Sequence, residues 1–312
     1  MMVNYSFASE WVDLGAPKPL EPSWNVNAIS SSNLEISFKL KGFLQDHLKN
    51  GMNRISFPGS VPILERGAPN LPRMSRSITI PDLAHMELSI IKTEFIDIDI
   101  SEIEPSKGNL TRDIIPSTVP YVYGKSYKVD EFYPSEVVLL REPYILRSMR
   151  GQTIVFQPIQ YNPIQRKLRI FTQIDIRVQE VGISKVNPLT RRPLNSDSRA
   201  FDHIYRDHFI NFPRNDRYDI LSEEGPMLVI CHGDFLDEMQ PFVDWKNYKG
   251  IPTGIVDIDS VGNVDAMEQF IENQYYENGI AFVLLVGDID QIESIRRSNG
   301  NGSNSPSDNS FT

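Results

Sequence analysis

Regular alternation of apolar and polar residues dominates the first 181 positions of the chain. Because successive side chains of a β-strand point to opposite faces, this pattern predicts half-buried strands. The clearest examples are "NLEISFKL" (33–40), "HMELSIIKTEFIDIDI" (85–100) and "KLRIFTQIDIRVQEV" (167–181). In the last stretch one face carries Leu168, Ile170, Thr172, Ile174, Ile176 and Val178. Residues 25–181 are therefore predicted to form a β-sandwich-like domain that follows an N-terminal extension, residues 1–24.

Prolines and turn residues divide this β-rich region. Asn162–Pro163 separates two strand-like runs and predicts a hairpin, while Pro158 predicts a sheet edge or a bulge. Most of the 22 prolines lie between residues 25 and 217, which argues against long helices there. Residues 182–217 are typical of a linker, with a short amphipathic helix predicted around "DHIYRDHFINF" (202–212).

The pattern changes at Pro226, where short continuous apolar runs replace the alternation. Such runs are typical of buried parallel strands, and here they are "MLVICH", "IPTGIVDID" and "IAFVLLVGD". Two segments with helical spacing separate them, and each is followed by a glycine suited to a helix end, Gly250 and Gly279. This β-α-β-α-β order predicts a parallel sheet with short connections. The fold class is therefore α+β multidomain.

Each predicted helix has a set of apolar positions that should face the sheet. In the first, Pro241 disfavours the helix if it lies inside it and could kink it. The predicted inward residues are Phe235, Leu236, Met239, Phe242, Val243 and Trp245 in the first helix, and Met267, Phe270 and Ile271 in the second.

Candidate chemistry gathers where the parallel strands end, which is the edge where α/β sheets bind ligands. Cys231, the only cysteine, is followed directly by His232, the two residue types that a cysteine peptidase requires. Neighbours on a strand face opposite ways, so this thiol and this imidazole are not expected to act as nucleophile and base. Cys231 is instead predicted to be a small buried apolar residue.

Acidic residues also lie near the ends of the other two predicted strands. Their positions favour helix caps over metal ligands. "DIDSVGNVDAME" (257–268) resembles an EF-hand loop, but Val261 occupies a ligand position and the preceding segment is strand-like. We therefore interpret Asp265 as the N-cap of the following helix. Asp288, after "VLLVG", could be a metal ligand, a catalytic orienting group or a turn cap, and the residues alone favour the cap.

A further acidic stretch, Asp97, Asp99, Glu102 and Glu104, lies at the end of a predicted strand. Strand alternation accounts for it as the solvated face, without a bound cation.

Composition restricts the remaining possibilities. A chain of 312 residues is long enough for about two domains. The net charge of −10 and pI near 5.1 argue against nucleic-acid binding. One cysteine excludes an internal disulfide, and the longest apolar run, Ile280–Val286, is too short for a transmembrane segment. No signal peptide is visible, and we expect the chain to be a fragment of a longer protein.

Several motifs together resemble the gingipain-type cysteine peptidases. "FVDWK" (242–246) and "LLVGD" (284–288) occur in the order found at the start of the family's catalytic domain. "ERGAPNLPRMSRSITIP" (65–81) is similar to a stretch of the family's propeptide, and "NDRYDILSEEGPMLVI" (215–230) is similar to the junction between propeptide and enzyme. The resemblance extends from about residue 25 to residue 312.

The resemblance implies a zymogen. Family members are secreted or cell-surface bacterial endopeptidases that act on proteins or peptides, with a caspase-like catalytic domain, bound calcium, and a prodomain that contacts and restrains that domain. It implies cleavage between Arg217 and Tyr218 and a calcium ligand at Asp288, with other ligands beyond the chain. Residues 218–312 would be the first half of the catalytic domain. The catalytic His and Cys motifs are expected further along, so the fragment should be inactive.

Two alternatives remain open at this stage. The chain could be a protease-inhibitory module that inserts Arg217 into an arginine-accepting pocket. It could also be a non-catalytic, secretion-associated relative that uses the same fold for binding.

Overall fold

The computed structural model describes residues 9–30, 32–192, 199–212, 225–293, 295–299 and 303–307. The chain divides into two compact units. Unit 1 combines Met1–Pro188 with Phe209–Asn211, and unit 2 combines Leu189–His208 with Phe212–Thr312. Among the described residues, every helix is too short or too polar to cross a lipid bilayer.

Unit 1 is built from antiparallel strands. They are β1 (Ser9–Asp13), β2 (Ser23–Ser30), β3 (Asn33–Lys39), β4 (Gly42–His47), β5 (Asn53–Ser56), β6 (Val61–Pro62), β7 (Pro72–Thr79), β8 (Ala84–Asp99), β9 (Val138–Leu140), β10 (Tyr144–Leu146), β11 (Met149–Phe156), β12 (Ile159–Asn162) and β13 (Lys167–Ile183). One sheet has the order β1-β4-β5. A second has the order β10-β11-β7-β6 with β9 on β11, and a third has the order β12-β13-β3-β2 with β8 on β13.

Strand β13 organises the third sheet, since it pairs with β3, β8 and β12. The alternation of its apolar residues is confirmed with one exception: five of the six expected residues are fully buried. Thr172 is only half-buried, because a register shift between Phe171 and Gln173 places Phe171 in the core instead.

Aromatic rings join two sheets of unit 1 in one core. Phe156 of β11 lies 4.8 Å from Trp24 of β2 and 5.1 Å from Phe38 of β3, measured between ring centroids. Edge-on and stacked ring pairs of this kind add to the stabilisation that burial already provides.

The hairpin expected at Asn162–Pro163 is present between β12 and β13. The Asn162 side-chain oxygen accepts hydrogen bonds from the backbone N–H groups of Ile164 and Gln165, which closes the turn. Pro158 lies between β11 and β12, where the chain passes from one sheet to another.

Glu104 corrects the interpretation of the acidic stretch, because it is buried rather than solvated. Its side chain is 2% exposed. Arg54 Nε and Asn70 Nδ2 donate hydrogen bonds to Glu104 Oε1, and the Tyr121 hydroxyl donates to Oε2. Burial acts to raise the pKa of Glu104, but these hydrogen bonds outweigh it and the pKa is lowered. Asp97 lies nearer the surface and pairs with Arg169.

Arg150 is a second buried charged residue that the sequence pattern did not identify. It is 1% exposed and donates hydrogen bonds to four backbone carbonyl groups. The acceptors are the carbonyl groups of Pro81, Ala84, Val186 and Asn187. Arg150 thus ties the chain after β13 to the turn between β7 and β8.

Unit 2 contains the parallel strands that the apolar runs predict. Its elements are α1 (Arg199–His208), β14 (Met227–Cys231), α2 (Leu236–Tyr248), β15 (Thr253–Asp257), α3 (Ile258–Val261), α4 (Val264–Asn278), β16 (Phe282–Val286), β17 (Ile295–Asn299) and β18 (Ser303–Ser307). The parallel sheet has the order β15-β14-β16. β17 and β18 form a separate antiparallel pair.

The two main helices cover opposite faces of this sheet. Val229 and Cys231 share a core with Val243 of α2. Leu228 and Ile230 share another core with α4, through Met267 and Ile271. Because successive side chains of β14 point to opposite faces, this one strand contributes to the cores on both sides of the sheet.

Most helix boundaries follow their sequence signals. Pro241 lies inside α2, and Gly250 follows its C-cap with φ of +83°. Gly279 ends α4 in the left-handed conformation. The N-cap of α4 is Asn263, whose side chain accepts from the Ala266 N–H, so the assignment of Asp265 was wrong.

The structure also differs from the prediction at two inward positions of α2 and at the end of α1. Phe235, which precedes α2, is 36% exposed and Trp245 is 48% exposed, so neither belongs to the core. The expected helix at 202–212 begins earlier and stops at His208, because Phe209 forms a β-bridge with Ser77.

We expect Glu104→Gln to lower the free energy of unfolding by about 1.5–3 kcal/mol at pH 7, the range for hydrogen bonds to a charged group. The lowered pKa means that this stabilisation is present above the ordinary value of 4.5 and is lost as the pH falls through the folded-state value. Urea unfolding at a series of pH values should therefore show the difference from the unsubstituted chain shrinking in acid.

The matched control is Glu94→Gln, which removes an exposed partner of Lys92. Its effect should be much smaller than that of Glu104→Gln, because an ion pair in solvent adds little to stability. An equal effect of the two substitutions would contradict the role assigned to Glu104.

Candidate functional site

The carboxyl ends of the three parallel strands meet at one edge of the sheet of unit 2. Cys231 is the last residue of β14 and is in register with Asp257 of β15 and Val286 of β16. Cys231, His232, Asp257 and Asp288 therefore lie at or just beyond this edge.

The Cys231 side chain points into the core beneath α2. It is fully buried, and its thiol donates a hydrogen bond to the backbone carbonyl oxygen of His232 at 3.4 Å. Burial raises the pKa of Cys231, and the nearby carboxylates of Asp257 and Glu238 raise it further. The thiol is therefore protonated at neutral pH, and a thiol is a much weaker nucleophile than a thiolate.

The His232 imidazole interacts with Asp234. His232 Nδ1 accepts a hydrogen bond from the Asp234 N–H at 3.3 Å. The same nitrogen lies 3.5 Å from Oδ2 of the Asp234 carboxylate. The His232 backbone N–H donates to the Val286 carbonyl, which holds the residue at the end of the sheet. His232 thus caps the short turn before α2, and its ring centroid lies 6.2 Å from that of Phe235.

The EF-hand-like segment is used to begin helices. Asp257 Oδ1 accepts from the Asp259 N–H and caps α3, while Asn263 caps α4. Val261 packs beside the core under α4. A helix thus begins directly after a strand, whereas an EF-hand loop lies between two helices.

Asp288 occupies a tight turn after β16. Its Oδ1 accepts from the Ile289 N–H at 2.7 Å, and its carbonyl oxygen accepts from the N–H groups of Gln291 and Ile292. The side chain of Gln291 accepts from the Asp288 N–H. These contacts are those of a turn cap. Within the described ranges, no three His, Cys, Asp or Glu residues form a group that could hold a metal ion.

Arg217 and Tyr218, the expected processing positions, lie outside the residues that the structure describes.

Two families match adjoining parts of the chain. Propeptide_C25 matches residues 25–219, which is more than half of the chain, and Peptidase family C25 matches residues 220–312. The chain belongs to the gingipain family. It carries the propeptide of a gingipain precursor, followed by peptidase residues of this cysteine peptidase family.

Known gingipains are similar along most of the chain. Gingipain R2 of Porphyromonas gingivalis (strain ATCC BAA-308 / W83) is 38% identical over 240 residues, which cover 75% of this chain and 32% of that protein. Lys-gingipain of Porphyromonas gingivalis (strain ATCC 33277) is 25% identical over 297 residues, or 90% of this chain and 17% of that protein. The chain thus spans about a third of the length of Gingipain R2.

One solved structure supports the same assignment. The complex of Porphyromonas gingivalis RgpB pro- and mature domains contains a chain that matches with 33% identity and a TM-score of 0.54. The match covers 61% of this gingipain chain and 98% of that chain.

We expect the Cys231 thiol of the native protein to react slowly with a disulfide reagent such as DTNB. Labelling should be at least about 100-fold faster in urea, because the thiol must leave the core and ionise before it reacts. The matched control is Glu272→Cys on the exposed side of α4, in a Cys231→Ala background, which should react at once.

The same burial predicts that Cys231→Ala leaves peptide hydrolysis by this chain at its background level. Rapid labelling of native Cys231, or a turnover that disappears in Cys231→Ala, would contradict the assignment of a structural thiol.

Proposed function

We propose that this chain is the N-terminal part of a latent gingipain-type cysteine endopeptidase precursor. Residues 25–181 act as a β-sandwich-like prodomain, residues 182–217 as the activation linker, and residues 218–312 as the first half of a caspase-like domain. The observation that carries the proposal is the boundary between the two family matches at residues 219 and 220, which lies beside Arg217–Tyr218.

The chemistry of the whole protein follows from the family. A thiolate attacks the carbonyl carbon of the peptide bond, the C–N bond breaks, and the amine leaves with a proton from the imidazolium. Water then hydrolyses the acyl-enzyme. We assign neither role to Cys231 or His232, because the thiol donates to a backbone carbonyl and the imidazole contacts Asp234. The catalytic Cys and His are proposed to lie outside this chain, which by itself is inactive.

The prodomain is proposed to restrain the enzyme by contact with its own catalytic domain. The solved RgpB complex joins a prodomain and a mature domain of a relative, and this supports the same type of contact here. Export to the cell surface or the medium is proposed on the same family basis.

Processing at the linker is the central test of this proposal. Limited digestion of the chain by an arginine-specific endopeptidase should release a product that begins at Tyr218, identified by N-terminal sequencing. Arg217→Ala should abolish that product, whereas the control Arg214→Ala should leave it unchanged. Digestion that cuts other arginines and yields no product beginning at Tyr218 would refute the assigned boundary.

Calcium is proposed as a ligand of the complete enzyme. Calcium requires about six to eight oxygen ligands, and Asp288 supplies too few of them. The carboxylate stands exposed at the sheet edge, so it is accessible to the additional ligands that we expect beyond residue 312. The described residues alone do not complete a site.

Millimolar calcium should therefore raise the thermal unfolding temperature of the full-length precursor but not that of the 312-residue chain. Asp288→Asn should reduce the shift in the full-length protein, and the neighbouring control Asp290→Asn should not. A shift that Asp288→Asn leaves intact would remove Asp288 from the site.

A further inference from the structure

A short segment of the linker lies along the edge of β7 in unit 1. The edge of β7 that faces away from β11 pairs with strand β6 only at Pro72 and Arg73. Further along, Ser77 forms a parallel bridge with Phe209, and the Ile210 N–H donates to the Ser77 carbonyl at 3.0 Å. The segment Phe209–Asn211 thus extends the sheet beyond β7, as a peptide does when it adds to a sheet edge.

The side chain of Asn211 continues this pairing in place of the backbone. Its Oδ1 accepts from the Thr79 N–H at 2.7 Å, and its Nδ2 donates to the Thr79 carbonyl at 2.9 Å. A side-chain amide offers one acceptor and a donor in the same plane, so it satisfies both groups of Thr79 at once. An aspartate of equal size has no such donor.

A slot in the sheet receives the Phe209 ring. Phe209 is 2% exposed, and its ring lies parallel to that of Tyr144. The slot exists because residue 151 is glycine: a Cβ atom there would lie 2.5 Å from Phe209 Cε1. Gly151 is in register with Thr79, so the slot and the amide pair are neighbours. Ile210 packs beside the core of unit 1.

We propose that the β7 edge and the Gly151 slot form a peptide-docking site on the prodomain. Its ligand is an extended peptide with an aromatic residue followed two positions later by asparagine. The occupant is the chain's own Phe209–Asn211, which fastens the linker to the prodomain. The site is separable from its covalent attachment, so the same sequence binds when supplied as a peptide.

The docking segment precedes Arg217, the expected processing position, by six residues in the sequence. The docking itself depends on unit 1 alone, and it holds whether or not Arg217 is a processing position.

Hydrogen exchange of the full chain, followed by mass spectrometry, tests the anchor. Asn211→Asp should accelerate exchange in residues 76–80 and 205–212 at least about tenfold, the loss expected for hydrogen bonds that hold a local segment. Exchange in α4 should not change. Asn273→Asp, on the exposed side of α4, is the matched control and should alter neither segment.

Gly151→Ala provides a second test, because it fills the slot without changing the linker. It should accelerate exchange in residues 205–212 as Asn211→Asp does. Unchanged exchange of both segments in a folded Asn211→Asp chain would overturn the proposal.

A separate peptide tests whether the site binds this sequence without a covalent link to it. An acetylated peptide of residues 207–212 should restore slow exchange at residues 76–80 of the full chain carrying Phe209→Ala and Asn211→Ala. The same peptide with Asn211→Asp should not. Failure of the unsubstituted peptide to restore protection at millimolar concentration, with the double variant folded, would also overturn the proposal.

Discussion

Opposite directions of successive side chains along a strand are the constraint on which this structure depends. In β14 the constraint sends Leu228 and Ile230 to the core under α4 and sends Val229 and Cys231 to the core under α2. The thiol is therefore part of a hydrophobic layer, while His232 caps a turn at the sheet edge. Two residues that are adjacent in sequence thus contribute to different parts of the unit.

Two buried charged side chains have several hydrogen-bond partners each, as the burial of a charge requires. Glu104 is satisfied by three side-chain donors, and Arg150 by four backbone carbonyls. Asn211 satisfies the backbone of Thr79 in the same manner. In each case a polar side chain joins segments that are distant in sequence, and this determines which loops and connections stay in place around the β-rich unit.

The family assignment gives these connections a functional setting. In a gingipain precursor the propeptide and peptidase regions meet at residues 219 and 220, and Asn211 lies shortly before that boundary. The proposed anchor would keep Phe209–Asn211 on the sheet of its own propeptide, so the attachment of the linker would depend on the edge of β7.

Local pattern was sufficient to predict the long strands of unit 1 and the parallel strands and main helices of unit 2. The period-two runs correspond to β3, β8 and β13, and the apolar runs correspond to the three parallel strands. Strand alternation also predicted the burial of Cys231. These features depend only on residues close together in the chain, so the sequence alone contains the necessary information.

Tertiary structure decided which polar and aromatic residues are buried. Glu104 meets Arg54 across 50 positions, and Asn211 meets Thr79 across 132. The bulge that brings Phe171 into the core in place of Thr172 likewise depends on the partner strand β8. No local period records such partners, because their positions are set by how distant strands pair. The sequence by itself thus determined where the main strands and helices form. Only the folded chain determined where α1 ends and what the buried polar side chains contact.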